Sequence, residues 1–140
     1  MKILVAVDGS AYTRRMLAYV AAHDEWLGSN HRYTVIHCVL PLPHRAAAFA
    51  NLAQARAFYK EDAEAVLAPI RTFLAKQGID AALVHRIGAP AATIAKVAQQ
   101  GKFDLLVIGS QGRGAVSGLV LGSVTTKVLS LCDTPTLLIR

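Results

Sequence analysis

Five short apolar runs punctuate this chain, and helical periodicity fills the gaps between them. The runs cover residues 2–7, 33–40, 79–87, 103–108 and 134–140. Each has the length and β-branched content of a buried strand. Between the first two, Met16, Leu17, Val20 and Ala21 recur at helical spacing within residues 12–27, after Ser10 as N-cap and before Gly28-Ser29-Asn30 as a stop. An Ala-rich helical segment spans residues 47–77, with Pro69 expected to kink or split it and Gly78 ending it. Pro90 opens a third helix that Gly101 closes, and residues 123–131 form a fourth. Strands alternating with helices in this way predict an α/β fold: one open, mostly parallel sheet with helices on both faces.

Length agrees with a single domain over residues 1–140. Hydrophobic residues make up 54% of the chain and charged residues 17%, which excludes intrinsic disorder. No apolar run approaches the roughly 18–20 residues of a membrane span. The first run meets Asp8 after five apolar residues, too short for a signal segment, so a cytoplasmic location is expected. Cys38 and Cys132 have no metal-ligand spacing and read as two buried thiols. The net charge of +6 is spread along the chain, with no aromatic-interleaved basic stripe, so nucleic acid is not the expected partner. The five histidines show no metal spacing, and His37, in the second strand, reads as a hydrogen-bonded core residue. Asp104 opens its strand far from the functional end and reads as structural; Lys127 reads as part of a solvated helix face.

Ligands in open parallel sheets sit beyond the carboxyl ends of the strands, where strand order reverses. Two strand ends here carry suitable chemistry. The first ends in Asp8, whose carboxylate has the acceptors to hold a ribose diol, or simply to cap its turn. The fourth runs into Gly109-Ser110-Gln111-Gly112, then nine residues, then Gly122-Ser123 at a helix start. Gly112 and Gly122 let backbone N–H groups approach phosphate, and the helix N-terminus adds donors and partial positive charge. Ser123 could donate its hydroxyl or serve only as an N-cap. Arg113 is the fixed positive charge beside this loop, which also carries Gly114 and Gly118. If the two strands are neighbours, one crevice holds both ends. The pattern is neither the dinucleotide G-x-G-x-x-G nor a P-loop, since no lysine follows Gly122.

With Gly109, Gly112, Gly122 and Ser123, the chain resembles the ATP-binding branch of the universal stress protein family, whose signature is G-x-x-G-x9-G-[ST]. The likeness covers nearly all of the chain. It includes the opening Ile3-Leu4-Val5-Ala6-Val7-Asp8, the Gly88-Ala89-Pro90 with Ile94, the run Asp104 to Ser110, and the closing Pro135 to Ile139. The resemblance implies strand order 3-2-1-4-5, of Rossmann-like or adenine nucleotide alpha hydrolase-like type, and a homodimer paired through the last strand. It implies ATP, or ADP or AMP, with Mg²⁺ or Mn²⁺ near the phosphates. Asp8 and Gly109 would then meet the ribose, the Cys38 backbone the adenine, and Gly112, Gly122, Ser123 and Val124 the phosphates. Slow ATP hydrolysis, autophosphorylation at Ser110 or Ser123, or an interaction module with an empty pocket are the rival readings.

Overall fold

The computed structural model describes residues 1–28, 30–115 and 120–140. Five parallel strands form one sheet: β1 (Lys2–Val7), β2 (Arg32–Val39), β3 (Ala81–Ile87), β4 (Leu105–Gly109) and β5 (Thr136–Ile139). The order is β3-β2-β1-β4-β5, as the resemblance implied. β1 is central, and both its faces are covered. Ile3, Val5 and Val7 face one core, while Leu4 and Ala6 face a second on the opposite side. Burial on both faces is why this strand reads as an unbroken apolar run rather than an alternating one.

Among the described residues six helices accompany the sheet: α1 (Ala11–Ala22), α2 (Asp24–Leu27), the wholly exposed α3 (His44–Ala47), α4 (Leu52–Lys76), α5 (Pro90–Gln100) and α6 (Ser123–Leu131). α1 and α4 supply Met16, Leu17, Val20, Val66, Ile70 and Leu74 to the first core. α5 and α6 supply Ile94, Ala95, Ala98 and Val128 to the second. Burying one such aliphatic side chain stabilises by about 1.5–3 kcal/mol. α6 occupies the span its periodicity predicts, and α5 starts with Pro90 at its first position and ends at Gly101. None of the described helices is long and apolar enough to cross a membrane.

Two helical expectations need correction. The single helix over 12–27 is two, broken at His23, whose backbone leaves the helical region (φ −118°, ψ 55°). The His23 ring stacks on Tyr19 at 4.0 Å, and its Nδ1 bonds the Tyr19 carbonyl at 2.8 Å, in competition with the backbone ladder. The break leaves Leu27 fully buried, and the Tyr33 hydroxyl donates to the carbonyls of Leu27 and Gly28.

The segment over 47–77 is helical only from Leu52 on: α3 ends at Ala47, and Pro69 does not split α4. The chain breaks between α3 and α4, where Asn51 starts α4 with a capping box: its side chain accepts from Gln54 N–H while the Gln54 side chain accepts from Asn51 N–H. α4 then continues through Pro69. Both Pro69 and Ala65, whose carbonyl loses its donor, are exposed, so water meets the freed group. The buried residues of α4 on its other face offset the lost bond.

Asp104 accepts from the Lys2 N–H at 2.6 Å, at the opposite end of the sheet from the candidate site, which fits its structural reading. Cys132 is buried as expected, whereas Cys38 is only half-buried; both thiols are free.

Candidate functional site

β1 and β4 are hydrogen-bonded neighbours, with Ala6 opposite Ile108, so the two tips singled out in the sequence stand side by side. The chain leaves β1 toward β2 and returns beyond it to β4, which makes this gap the point where strand order reverses. A cleft of about 650 Å³ opens there. Asp8, Cys38, Gly109, Gly112, Arg113, Gly122, Ser123 and Val124 all line it. Gly118 and the centre of the 113–121 loop lie outside the described residues.

The Asp8 carboxylate is engaged within the protein. Its Oδ1 accepts from Ser10 N–H and from the Thr13 hydroxyl, each at 2.9 Å. Its Oδ2 accepts from Arg113 N–H at 2.9 Å. The residue thus caps its own turn and also latches the β4 loop across the gap. Two lone pairs per oxygen leave Oδ2 one further acceptor position. Burial pushes the Asp8 pKa up, but the combined hydrogen bonds from Ser10, Thr13 and Arg113 outweigh it and hold the carboxyl below its ordinary value.

The latch explains why residue 112 is glycine. A Cβ there would collide with Asp8 Oδ2. Gly9, at φ +77°, makes the turn that follows Asp8. The Arg113 guanidinium reaches back over this turn, with Nη2 3.3 Å from where a Gly9 Cβ would stand. Its side chain therefore lies on the α4 side of the cleft, while its backbone N–H serves Asp8.

β4 turns into α6 through a closed set of bonds. Ser110 N–H donates to the Ile139 carbonyl and Gly122 N–H to the Ser110 carbonyl, each at 2.7 Å. The buried Thr125 hydroxyl donates to the Gly109 carbonyl at 2.8 Å. The α6 ladder begins with Thr126 N–H to Gly122 carbonyl at 3.0 Å, and Gly122 provides no side-chain cap. The amides that precede this bond are outside the ladder, at the positive end of the helix dipole. Ser123 is exposed at this end; Ser110 is buried, so of the two serines only Ser123 is presented to a ligand.

β1 pairs with β2 as far as Val7 and His37, so the Cys38 peptide lies one step past the last β1 partner. The Cys38 thiol, 3.9 Å from the Pro90 carbonyl, is pushed up by burial to about 11, despite the opposing pull of the Arg86 charge. It stays protonated at neutral pH and is no nucleophile. At pH 8, its labelling by iodoacetamide should be at least about tenfold slower than that of an unperturbed cysteine, as followed by intact mass.

The sequence did not single out the wall facing these tips. Leu40 to Pro43, where the chain leaves β2, form one rim, and Phe58 and Asp62 of α4 face the cleft beside it. Leu42 N–H donates to the Tyr59 hydroxyl at 3.0 Å, which pins the rim to α4. His37 is the buried, hydrogen-bonded residue expected, with Nδ1 3.0 Å from the Val7 carbonyl, yet its ring also borders the cleft. Among the described residues no three His, Cys, Asp or Glu side chains gather into a metal site.

The chain matches the universal stress protein family over residues 1–140. It is 36% identical over 139 residues to "Universal stress protein in QAH/OAS sulfhydrylase 3'region" of Thermus aquaticus, covering 99% of this chain and 97% of that one. Its fold is similar to the universal stress protein UspA from Lactobacillus plantarum, with TM-score 0.78 and 22% identity over 100% of this chain and 97% of the other. It is also similar to the Archaeoglobus fulgidus universal stress protein solved in complex with dAMP, with TM-score 0.70 and 22% identity, covering 100% and 98% of the two chains. A sheet ordered β3-β2-β1-β4-β5 and a family match over its whole length together make this chain a member of the universal stress protein family.

Proposed function

We propose that this protein is an adenine-nucleotide-binding module, with ATP as its ligand, acting as a dimeric regulator rather than as a fast enzyme. The observation that carries the reading is the convergence of the Asp8 carboxylate and the uncapped start of α6 on one cleft. Asp8 Oδ2 offers its remaining acceptor to a ribose hydroxyl, and Gly109 lets the sugar lie against the strand tip. The Cys38 peptide, past the end of β1 pairing, is free to meet the edge of adenine. Gly112, Gly122, Ser123 and Val124 surround the phosphates, and the α6 dipole favours their charge. Arg113 can pair with them once its guanidinium leaves the Gly9 turn. The Archaeoglobus fulgidus relative, solved with dAMP, supports the choice of adenine.

A divalent ion would ride on the phosphates, because the described residues of the cleft supply no ligand cluster of their own. Asp8 is tied up by three donors and held ionised, so it is a poor base for activating water, and slow turnover is the most this site supports. The expected result is that protein purified without added nucleotide, once denatured, releases an adenine nucleotide identifiable by mass, or that the emptied protein binds ATP with measurable heat. Silence toward ATP, ADP and AMP at about 100 μM protein sinks the reading.

β5 lies at the edge of the sheet, with only β4 beside it, and such an edge offers unpaired backbone groups to a second copy. Light scattering should therefore give twice the 14.9 kDa chain mass. Leu138→Pro should shift the mass toward the monomer, because residues 135 and 139 turn their carbonyls to β4 and the alternate residue 138 turns its N–H to the free edge; a wild-type monomer at micromolar concentration contradicts strand pairing.

A further inference from the structure

We propose that His37 Nε2 is a fixed hydrogen-bond acceptor that selects ligands presenting an N–H or O–H to it over those presenting only lone pairs. The inference rests on the nucleotide reading and deepens it.

His37 is 5% exposed. A carbonyl cannot donate, so the 3.0 Å contact with Val7 oxygen places a proton on Nδ1, which in the imidazole form makes Nε2 the acceptor. Nε2 is then a lone pair. No other described residue hydrogen-bonds the ring, and among the described residues no sealed side-chain nitrogen or oxygen lacks a partner. Nε2 is therefore not sealed from solvent, and the cavity that His37 lines is the cleft. A buried acceptor held in one orientation by its other nitrogen, and left without a protein partner, discriminates strongly: a donor satisfies it, and an opposing lone pair leaves it unpaired. Its position suits the nucleoside half of a ligand, since Cys38 adjoins it in sequence and Asp8 follows its partner Val7. The donor is either the 6-amino group of the base or a ribose hydroxyl.

The test compares binding of ATP, ITP and the 2′- and 3′-deoxy forms of ATP to wild type, His37→Asn and His37→Phe. Asparagine can keep an N–H toward Val7 oxygen but places nothing at Nε2; phenylalanine keeps only the bulk. If the amine is read, the ATP-over-ITP preference falls about tenfold or more in both variants, and the deoxy ratios stay put. If a hydroxyl is read, one deoxy ratio collapses instead. Unchanged ratios in folded variants overturn the inference and leave the nucleotide reading standing. A wild type that binds none of these ligands overturns both. Should both variants unfold, the ¹⁵N resonance of Nε2 in wild type decides: it must move on saturation with ATP while Nδ1 keeps its protonated position, and a still Nε2 overturns the proposal.

Discussion

Gly112→Ala should loosen the candidate site more than any other single-methyl change in the described loop. The added carbon lands on Asp8 Oδ2, and this carboxylate cannot step aside cheaply, because its other oxygen is held by Ser10 N–H and the Thr13 hydroxyl. Either Asp8 rotates off those donors or the loop lifts and Arg113 N–H loses its partner. A hydrogen bond to a charged group is worth about 1.5–3 kcal/mol. For a domain near this size, each kcal/mol lowers Tm by roughly 2–4 °C. A drop of roughly 3–12 °C follows by the same conversion, measurable by calorimetry. ATP affinity should fall about tenfold or more, since a misplacement costing 1.4 kcal/mol already does that. Gly114→Ala is the matched control for stability: nothing lies within 4 Å of its added carbon, and its Tm should stay within about 1–2 °C of wild type. Equal Tm for both alanine variants would contradict the latch.

Asp8→Asn should have the second largest effect, with a signature in pH. Three donors converge on the carboxylate. One amide oxygen serves at most two of them, and the new NH₂ faces a third N–H. The residue is half open to water, so the cost belongs in the lower part of the range for such groups, about 1–2 kcal/mol. The folded-state carboxyl lies below its ordinary value of 3.8. A depressed acid contributes its stability in full above the unfolded value and loses it as pH falls from there through the folded value. The gap between wild type and Asp8→Asn should thus be constant at neutral pH and close below pH 3.8. Ligand binding separates the two roles of the residue. If Asp8 also holds the ribose, the variant weakens ATP about tenfold more than it weakens 2′,3′-dideoxy-ATP, because both ligands feel the loosened latch but only ATP has a hydroxyl to lose.

The parts of this architecture that the sequence carried are those written in local signals. Strands buried on both faces appear as apolar runs, and Pro90 and Gly101 frame α5 as their backbone preferences require. The site glycines were readable because a strand, a tight turn and a helix start each leave a mark in one short segment. The start of α4 was readable too, since Asn51 and Gln54 have capping-box spacing, but the alanine-rich periodicity around them hid it and drew attention to Pro69. The break at His23 had no local mark: a stacked ring and a carbonyl four residues back decide it. The same holds for the rim formed by Leu40 to Pro43 with Phe58 and Asp62, which only the packing of α4 on the sheet brings to the cleft. The second role of Asp8 was equally hidden, because its partner Arg113 lies 105 residues away in the chain.

The sharpest check is a single titration: ATP with Mg²⁺ added to ¹⁵N-labelled protein, followed by amide shifts. One compact set should move, drawn from both tips at once, around residues 8–10 and 109–113, with the α6 start at 122–125 and the β2 end at Cys38. Movement at one tip without the other, or at the far end of the sheet near Asp104, would contradict a nucleotide held jointly between β1 and β4.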